Sequence, residues 1–341
     1  MDFPKVIRLV AQAVYAVFGL AILVLMLLIV LWVNPALISS NRVSPEDWRP
    51  RDAKTDLGTS PRDNLVKYGY EIITETSKHI GPMAPKVNVR YAGNNLSCQS
   101  CHLEAGRKTG SASFVGVANR FPQFRGRENK MGNLIERVNG CMERSMNGKV
   151  LPDNSLEMQA IIAYMEWLSE NVPKDKEAQY KGFAKLEIPN KKADVNTGKA
   201  LYIKHCQTCH MDNGQGQRPS ENDKYLYPPL WGKDSYNHGA GMHRVITAAQ
   251  FIKGNMPYLE ATLDNPVLTD EEAYHVAAYI NSFQRPQKAN PEVDFPDKKL
   301  KPVSTPYGPW VDEFSPDQHK YGPFQPIMAW YEKELGIKKS K

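Results

Sequence analysis

Two short stretches of this chain hold residues whose types and spacing define a chemistry: Cys98-Gln-Ser-Cys101-His102 and Cys206-Gln-Thr-Cys209-His210. Two thiols in this spacing can add to a porphyrin as thioethers, and the imidazole that follows reaches the iron. Cys-x-x-Cys-His therefore reads as attachment of haem c. Zinc sites and redox dithiols share the cysteine pair, but two complete copies of the five-residue pattern favour haem. The expectation is two covalently bound haem c groups, with His102 and His210 as proximal iron ligands. Attachment uses four of the five cysteines, and Cys141 is left over.

Each iron then needs a distal ligand or an open site. After the second motif comes Lys253-Gly-Asn-Met256-Pro257, with Met256 46 residues beyond His210 and 13 before Thr269. Methionine on iron suits electron transfer, so Met256 is the candidate, with Met242 as competitor. After the first motif the equivalent place, 39 residues beyond His102 and 14 before Ser155, is held by Cys141. Met142 and Met146 are rivals there, and with either of them as ligand the protein would be a plain electron carrier. A buried spectator thiol is the other reading of Cys141. Arg137 and Arg144 flank it, and nearby cations and a metal both stabilise a thiolate. Such a ligand would lower the potential of its haem, and on leaving the iron it would be a sulfur nucleophile in a cationic pocket. Those are parts for sulfur chemistry on an anion.

The charge distribution points the same way. The formal net charge is +6 with a pI near 8.9, which is mild and gives no indication of nucleic acid. From Leu103 to Lys149, however, nine basic residues stand against four acidic ones. The surplus is either an anion site beside a haem or a solvated face that meets a redox partner.

The elements that must position these residues are mainly helical. Leu9–Val33 is an apolar run of 25 residues, roughly 37 Å as a helix and enough to span a bilayer. It is longer than the apolar core of a cleaved signal, about 7–15 residues, so residues 1–40 read as an uncleaved anchor. Haem c is attached outside the bacterial cytoplasmic membrane, which places the rest of the chain in the periplasm, held to the inner membrane by one pass. Residues 41–62 read as a linker. Two units of similar plan follow, 63–172 around haem 1 and 196–285 around haem 2, joined by a Lys-rich linker at 173–195. Each has an early helix-like segment (Leu65, Tyr68, Gly69, Ile72; Gly198, Leu201, Tyr202), a haem motif, a ligand loop and a closing aromatic helix. The closing helices are expected near Ser155–Asn171 and Asp270–Gln284, the latter with a capping box at Thr269-Asp-Glu-Glu272. This plan looks like the class I cytochrome c fold, twice in tandem. Residues 286–341 carry nine prolines, which exclude long helices and central strands. Their aromatic residues imply an extension that wraps the globular body and ends in a short helix near Ile327–Leu335.

At these residues the chain resembles the periplasmic dihaem thiosulfate dehydrogenases, over about residues 60–285. The most specific part is Arg137-Val-Asn-Gly-Cys-Met-Glu-Arg-Ser145-Met-Asn-Gly148, which is similar to that family's active-site loop. The resemblance implies that Cys141 is the distal ligand of the catalytic haem and that Arg127, Arg137 and Ser145 hold the substrate. It implies coupling of two thiosulfates into tetrathionate, or the reverse, with electrons leaving through the Met256 haem to a periplasmic or membrane-bound partner. In some family members a lysine beside the methionine exchanges with it; here that neighbour is Asn255, which favours plain His/Met ligation. Two other readings compete. One is a membrane-anchored dihaem electron carrier with methionine on both irons, and the other is a sulfur-oxidation cytochrome whose ligand cysteine needs a carrier protein.

Overall fold

The computed structural model describes residues 2–33, 48–221 and 223–339. The chain divides into two compact units, 1–49 and 50–341.

Among its described residues the first unit contains one helix, α1 (Phe3–Val33). Pro4 sits in its first turn, where its missing N–H costs nothing, so the helix starts before the apolar run and takes in Lys5 and Arg8. Its window Phe3–Val30 has a mean hydropathy of 3.0 and no buried residues. It is a helix long and apolar enough to cross a membrane. Residues 41–47 of the expected 41–62 linker lie outside the described residues.

The second unit holds both tandem cytochrome c domains and the proline-rich extension. In the first domain, α2 (Pro61–Thr74) begins at a capping box made by Ser60 and Asp63. It crosses the closing helix α4 (Leu156–Trp167), and in the chain between these two comes α3 (Leu134–Met142), capped by Asn133 and Glu136. At the crossing a Cβ on Gly69 would come within 2.0 Å of the Ala160 carbonyl oxygen. Only glycine lets the two backbones meet there. Val66, Ile72, Tyr164 and Leu168 fill the core around it.

The second domain repeats this solution. Its early helix α5 (Val195–His205) crosses the closing helix α7 (Asp270–Ser282), and a Cβ on Gly198 would lie 2.1 Å from the His275 carbonyl oxygen. Thr269 and Glu272 form the expected capping box. In the chain between them comes α6 (Val245–Asn255), whose inner face places Val245, Ala249 and Ile252 in the core. The only sheet among the described residues is the antiparallel pair Gln123–Arg125 and Lys130–Gly132.

The extension packs on the body, as its aromatics led us to expect. After α8 (Pro316–Tyr321) comes α9 (Gln325–Leu335), two residues longer at its start than the proline pattern indicated, with Pro326 in its first turn. Phe324, Ile327 and Tyr331 are fully buried in the second domain's core. At about 1.5–3 kcal/mol per fully buried large apolar side chain, these three offset much of the entropy lost in ordering the tail.

The two domains are held face to face by polar bonds around one loop. Asn94 Nδ2 donates to the Ser145 carbonyl at 2.9 Å and to the Ser235 carbonyl at 3.2 Å. Asn237 Nδ2 donates to the Glu143 carbonyl at 2.8 Å, and its backbone N–H to the Arg144 carbonyl at 3.1 Å. Residues 235–239 of the second domain therefore lie on the Cys141–Gly148 loop of the first.

Candidate active site

The first domain, with Tyr236 and Met242 of the second on the wall, forms a cavity with about 1270 Å³ of space between its walls, its open mouth included. Cys98, Cys101 and His102 line one side, and Arg137, Cys141 and Ser145 come from α3 and the loop after it. Between them are apolar side chains, Leu134, Val138 and Ile161 among them. A large, mostly apolar hollow with few polar groups is the kind of site a flat organic cofactor fills.

The proximal side is fixed by a backbone carbonyl. His102 Nδ1 donates to the Ala112 carbonyl at 2.7 Å, and its ring lies 4.4 Å from the Phe114 ring. This bond sets the tautomer and leaves Nε2 free for a metal, the usual outer-sphere arrangement for a ligating histidine. The second motif uses the same device, with His210 Nδ1 donating to the Pro228 carbonyl at 2.8 Å. Burial holds the His210 ring below the usual histidine range, so it is neutral as a ligand must be. Nothing in the sequence pattern marked Ala112 or Pro228, because a carbonyl acceptor carries no side-chain signature.

Cys141 sits in the last turn of α3, one turn after Arg137. Helical spacing of four places both on one face, and Arg137 Nη1 donates to Cys141 Sγ at 2.8 Å. Burial alone would push this thiol up, but the Arg137 charge and its interaction with His102 bring it down to about 6. The attachment cysteines behave oppositely: burial pushes Cys98 up to about 11 and Cys101 to about 12. Cys141 is therefore the thiolate of this cavity, and it is close enough to His102 to interact with it across the hollow. Imidazole on one side, thiolate on the other and two thiols at the rim suit an attached haem iron.

The rivals Met142 and Met146 also line the cavity, buried to 2% and 3% exposure. Met242, the competitor for the second haem, lines this first cavity too and packs against both cores. Met256 directly follows α6 and packs half-buried against the second core, as Cys206 does. Its neighbour Asn255 is fully buried and donates to the Gly110 carbonyl in the first domain at 2.8 Å.

The structure brings Arg137, Cys141 and Ser145 together on the cavity wall but turns Arg127 elsewhere. Arg127 Nη1 donates to Asp294 Oδ2 at 2.5 Å, to the Gly239 carbonyl at 3.0 Å and to Tyr307 Oη at 3.3 Å. Asp294 belongs to the C-terminal extension, is 1% exposed and also accepts from Arg144 Nη2 at 2.5 Å. Burial would push its carboxyl up, but the two arginines hold it down at about 2. A second residue absent from the sequence reading is Arg244, half-buried at the N-cap of α6, where it feels the charges of Arg127 and Arg137. Burial and those two neighbouring cations lower its guanidinium to about 10.

Two tandem cytochrome c domains, each with its own attachment motif and carbonyl-tethered histidine, define a dihaem c-type cytochrome with two covalently bound haem c groups, and its relatives define an oxidoreductase. Residues 89–173 match the family "SoxA/TsdA, cytochrome c domain", and residues 195–284 match "Cytochrome c". The chain is 40% identical over 232 residues to a thiosulfate dehydrogenase of Stutzerimonas stutzeri, covering 68% of this chain and 71% of that protein. It is 39% identical over 208 residues to one from Allochromatium vinosum, covering 60% and 75%. Among solved structures it is similar to the thiosulfate dehydrogenase TsdBA from Marichromatium purpuratum, at 35% identity and a TM-score of 0.63. That match covers 71% of this chain and half of the other. The chain belongs to the thiosulfate dehydrogenase family.

Proposed function

We propose that this protein couples two thiosulfate dianions into tetrathionate at the first cavity, or runs the same conversion backwards. The observation that carries the reading is the 2.8 Å bond from Arg137 to Cys141 Sγ, in a cavity that also holds His102. It keeps a sulfur anion poised beside a cation that can also receive a sulfonate.

His102 and Cys141 would hold the first iron, and His210 and Met256 the second. When bound, the two haems accept one electron each. The Cys141 thiolate bonds to the outer sulfur of one thiosulfate, giving a cysteinyl S–S–SO₃⁻ adduct with loss of two electrons. The outer sulfur of a second thiosulfate attacks the same sulfur. Its S–S bond forms as the Cys141–S bond breaks, releasing tetrathionate and restoring the thiolate. Arg137 offsets the repulsion between the two anions, and the Ser145 hydroxyl donates to a sulfonate oxygen. Arg127, bound to Asp294 and Gly239, places its remaining charge behind this wall. α1 anchors the protein in the inner membrane with the haem domains on the periplasmic side, where a soluble or membrane-bound carrier takes the electrons.

The test is stoichiometry. The haem-loaded protein should consume two thiosulfates and reduce two ferricyanides for each tetrathionate formed. Formation of sulfite or sulfate instead, or no thiosulfate-dependent reduction, would refute the reading.

A further inference from the structure

The Lys-rich segment 173–195 does not simply span the gap between the domains, because Lys181 and Gly182 line the first cavity. Backbone bonds fix the segment there. The Ala112 N–H donates to the Gly182 carbonyl at 2.8 Å, and Ser111 pairs with Phe183 in an antiparallel bridge. The Ala112 carbonyl is the one that holds His102. Lys181 is therefore set on the wall beside the segment that tethers the proximal histidine.

The lysine and arginine side chains on this wall are Arg120, Arg137 and Lys181, and among the described residues no Asp or Glu lines the cavity. Arg137 is bound to Cys141. Arg120 reaches Glu177 of the same linker at 3.5 Å and the Val115 carbonyl at 3.4 Å, both through Nη1 and both at the long limit for such bonds. Its Nε and Nη2 have no partner among the described residues. Burial lowers the Arg120 guanidinium from its ordinary value more than Glu177 raises it. The Lys181 ammonium makes no hydrogen bond or ion pair among the described residues. The charge of these two cations is left to be matched by the group that fills the cavity.

Haem carries two propionates, and a carboxylate taken out of water is costly unless a cation or donor meets it. Thioether bonds form on the two pyrroles that bear no propionate, so attachment to Cys98 and Cys101 sends the propionates to the edge away from those cysteines. The cysteine end is built by other segments than the cations are. The Cys98 N–H donates to Thr76 Oγ1 at 3.0 Å, and Gln99 Nε2 donates to the Thr74 carbonyl at 2.9 Å, at the end of α2. Resting on haem attachment at Cys98 and Cys101, we propose that Arg120 and Lys181 hold the propionates of the first haem. A planar guanidinium suits a carboxylate through two N–H donors, and Lys181 adds a point charge. The linker then helps to set the potential of that haem, because a cation beside a propionate favours the ferrous iron. Thiosulfate from solution offers oxyanions of the same kind, and the test separates the two sources.

The test is spectroelectrochemical titration and resonance Raman spectroscopy of the haem-loaded full-length protein without thiosulfate. Wild type is compared with Lys181→Gln, Arg120→Gln and Lys174→Gln, the last at a linker lysine off the cavity wall. The expected result in Lys181→Gln and Arg120→Gln is a lower potential for the first haem and a shift of its propionate bending band. At fixed electrode potential the ferric-to-ferrous ratio of that haem should rise about threefold to tenfold. The second haem should not change, and Lys174→Gln should match wild type. A lower potential with an unmoved propionate band would overturn the assignment, since the cation would then act only as a charge at a distance. An unchanged potential and band would overturn it as well, and weaker thiosulfate binding by calorimetry in the same variant would give the cations to the substrate. A wild type without haem on Cys98 and Cys101, seen by mass spectrometry of the haem peptide, would sink the attachment reading instead. If Arg120→Gln fails to load haem, Lys181→Gln, at an exposed position, carries the comparison.

Discussion

Asp294 ties the C-terminal extension to the active-site loop, and its removal should be expensive. Its Oδ2 accepts from Arg127 at 2.5 Å, Arg144 Nε at 3.2 Å and Tyr307 Oη at 3.0 Å, and its Oδ1 accepts from Arg144 Nη2 at 2.5 Å. The carboxyl is held at about 2 against an ordinary 3.8. At about 1.4 kcal/mol per pH unit, that depression corresponds to about 2 kcal/mol of folding stability. Because the folded value is the lower one, this stability is fully present above pH 3.8 and is lost as the pH falls through about 2. Asp294→Ala loses more than this, since it leaves Arg144, 7% exposed, and Arg127 without their carboxylate. Breaking a buried pair from one side costs about 3–5 kcal/mol. Asp294→Asn, which keeps one carbonyl acceptor, should fall in between. Urea unfolding of the haem-loaded protein, followed by tryptophan fluorescence, measures both. The gap between wild type and Asp294→Ala should be about 3–5 kcal/mol at neutral pH and should narrow in acid below pH 3.8. A gap under about 1 kcal/mol, or one that does not change with pH, would refute the reasoning.

Four further outcomes follow. Replacing Cys141 by Met should raise the reduction potential of the first haem, seen by spectroelectrochemical titration, because a thioether donates less density than a thiolate. With the Cys141 thiol near 6, the thiosulfate-dependent rate should fall as the pH drops through that value, and Arg137→Gln should move the acid limb upward because the cation favouring the thiolate is gone. Gly69→Ala and Gly198→Ala each drive a methyl into a helix backbone at about 2 Å, so each should cost about 1–3 kcal/mol in urea unfolding and lower haem loading of its own domain. Asn255→Leu orphans the Gly110 carbonyl and should cost about 1–3 kcal/mol by the same measurement.

The parts of this protein that depend on local spacing could be read from the sequence. The two haem motifs, the capping box at Thr269–Glu272, the closing helices and the Arg137–Cys141 pair are all set within a few residues, and the capping box and closing helices form in the expected places. The closing helices end earlier than the aromatic stripe indicated, at Trp167 and Ser282. What was not legible is what the chain brings together from afar. Arg127 meets Asp294 across 167 positions, and no periodicity links a basic segment to one acid in a proline-rich tail. Arg244, whose guanidinium feels the charges of Arg127 and Arg137, lies outside the basic stretch. Its one local sign was position, two residues after a methionine already under consideration. The linker at 173–195 likewise does more than join domains, since Gly182 binds the Ala112 N–H beside the carbonyl that holds His102.

The central claim is that Cys141 both holds the first iron and attacks thiosulfate. Thiosulfate-dependent ferricyanide reduction, wild type beside Cys141→Gly, with covalent haem counted in each, tests it most directly. The account predicts an active wild type and a variant that keeps both haems and loses the activity. Equal activity in the two proteins would contradict it.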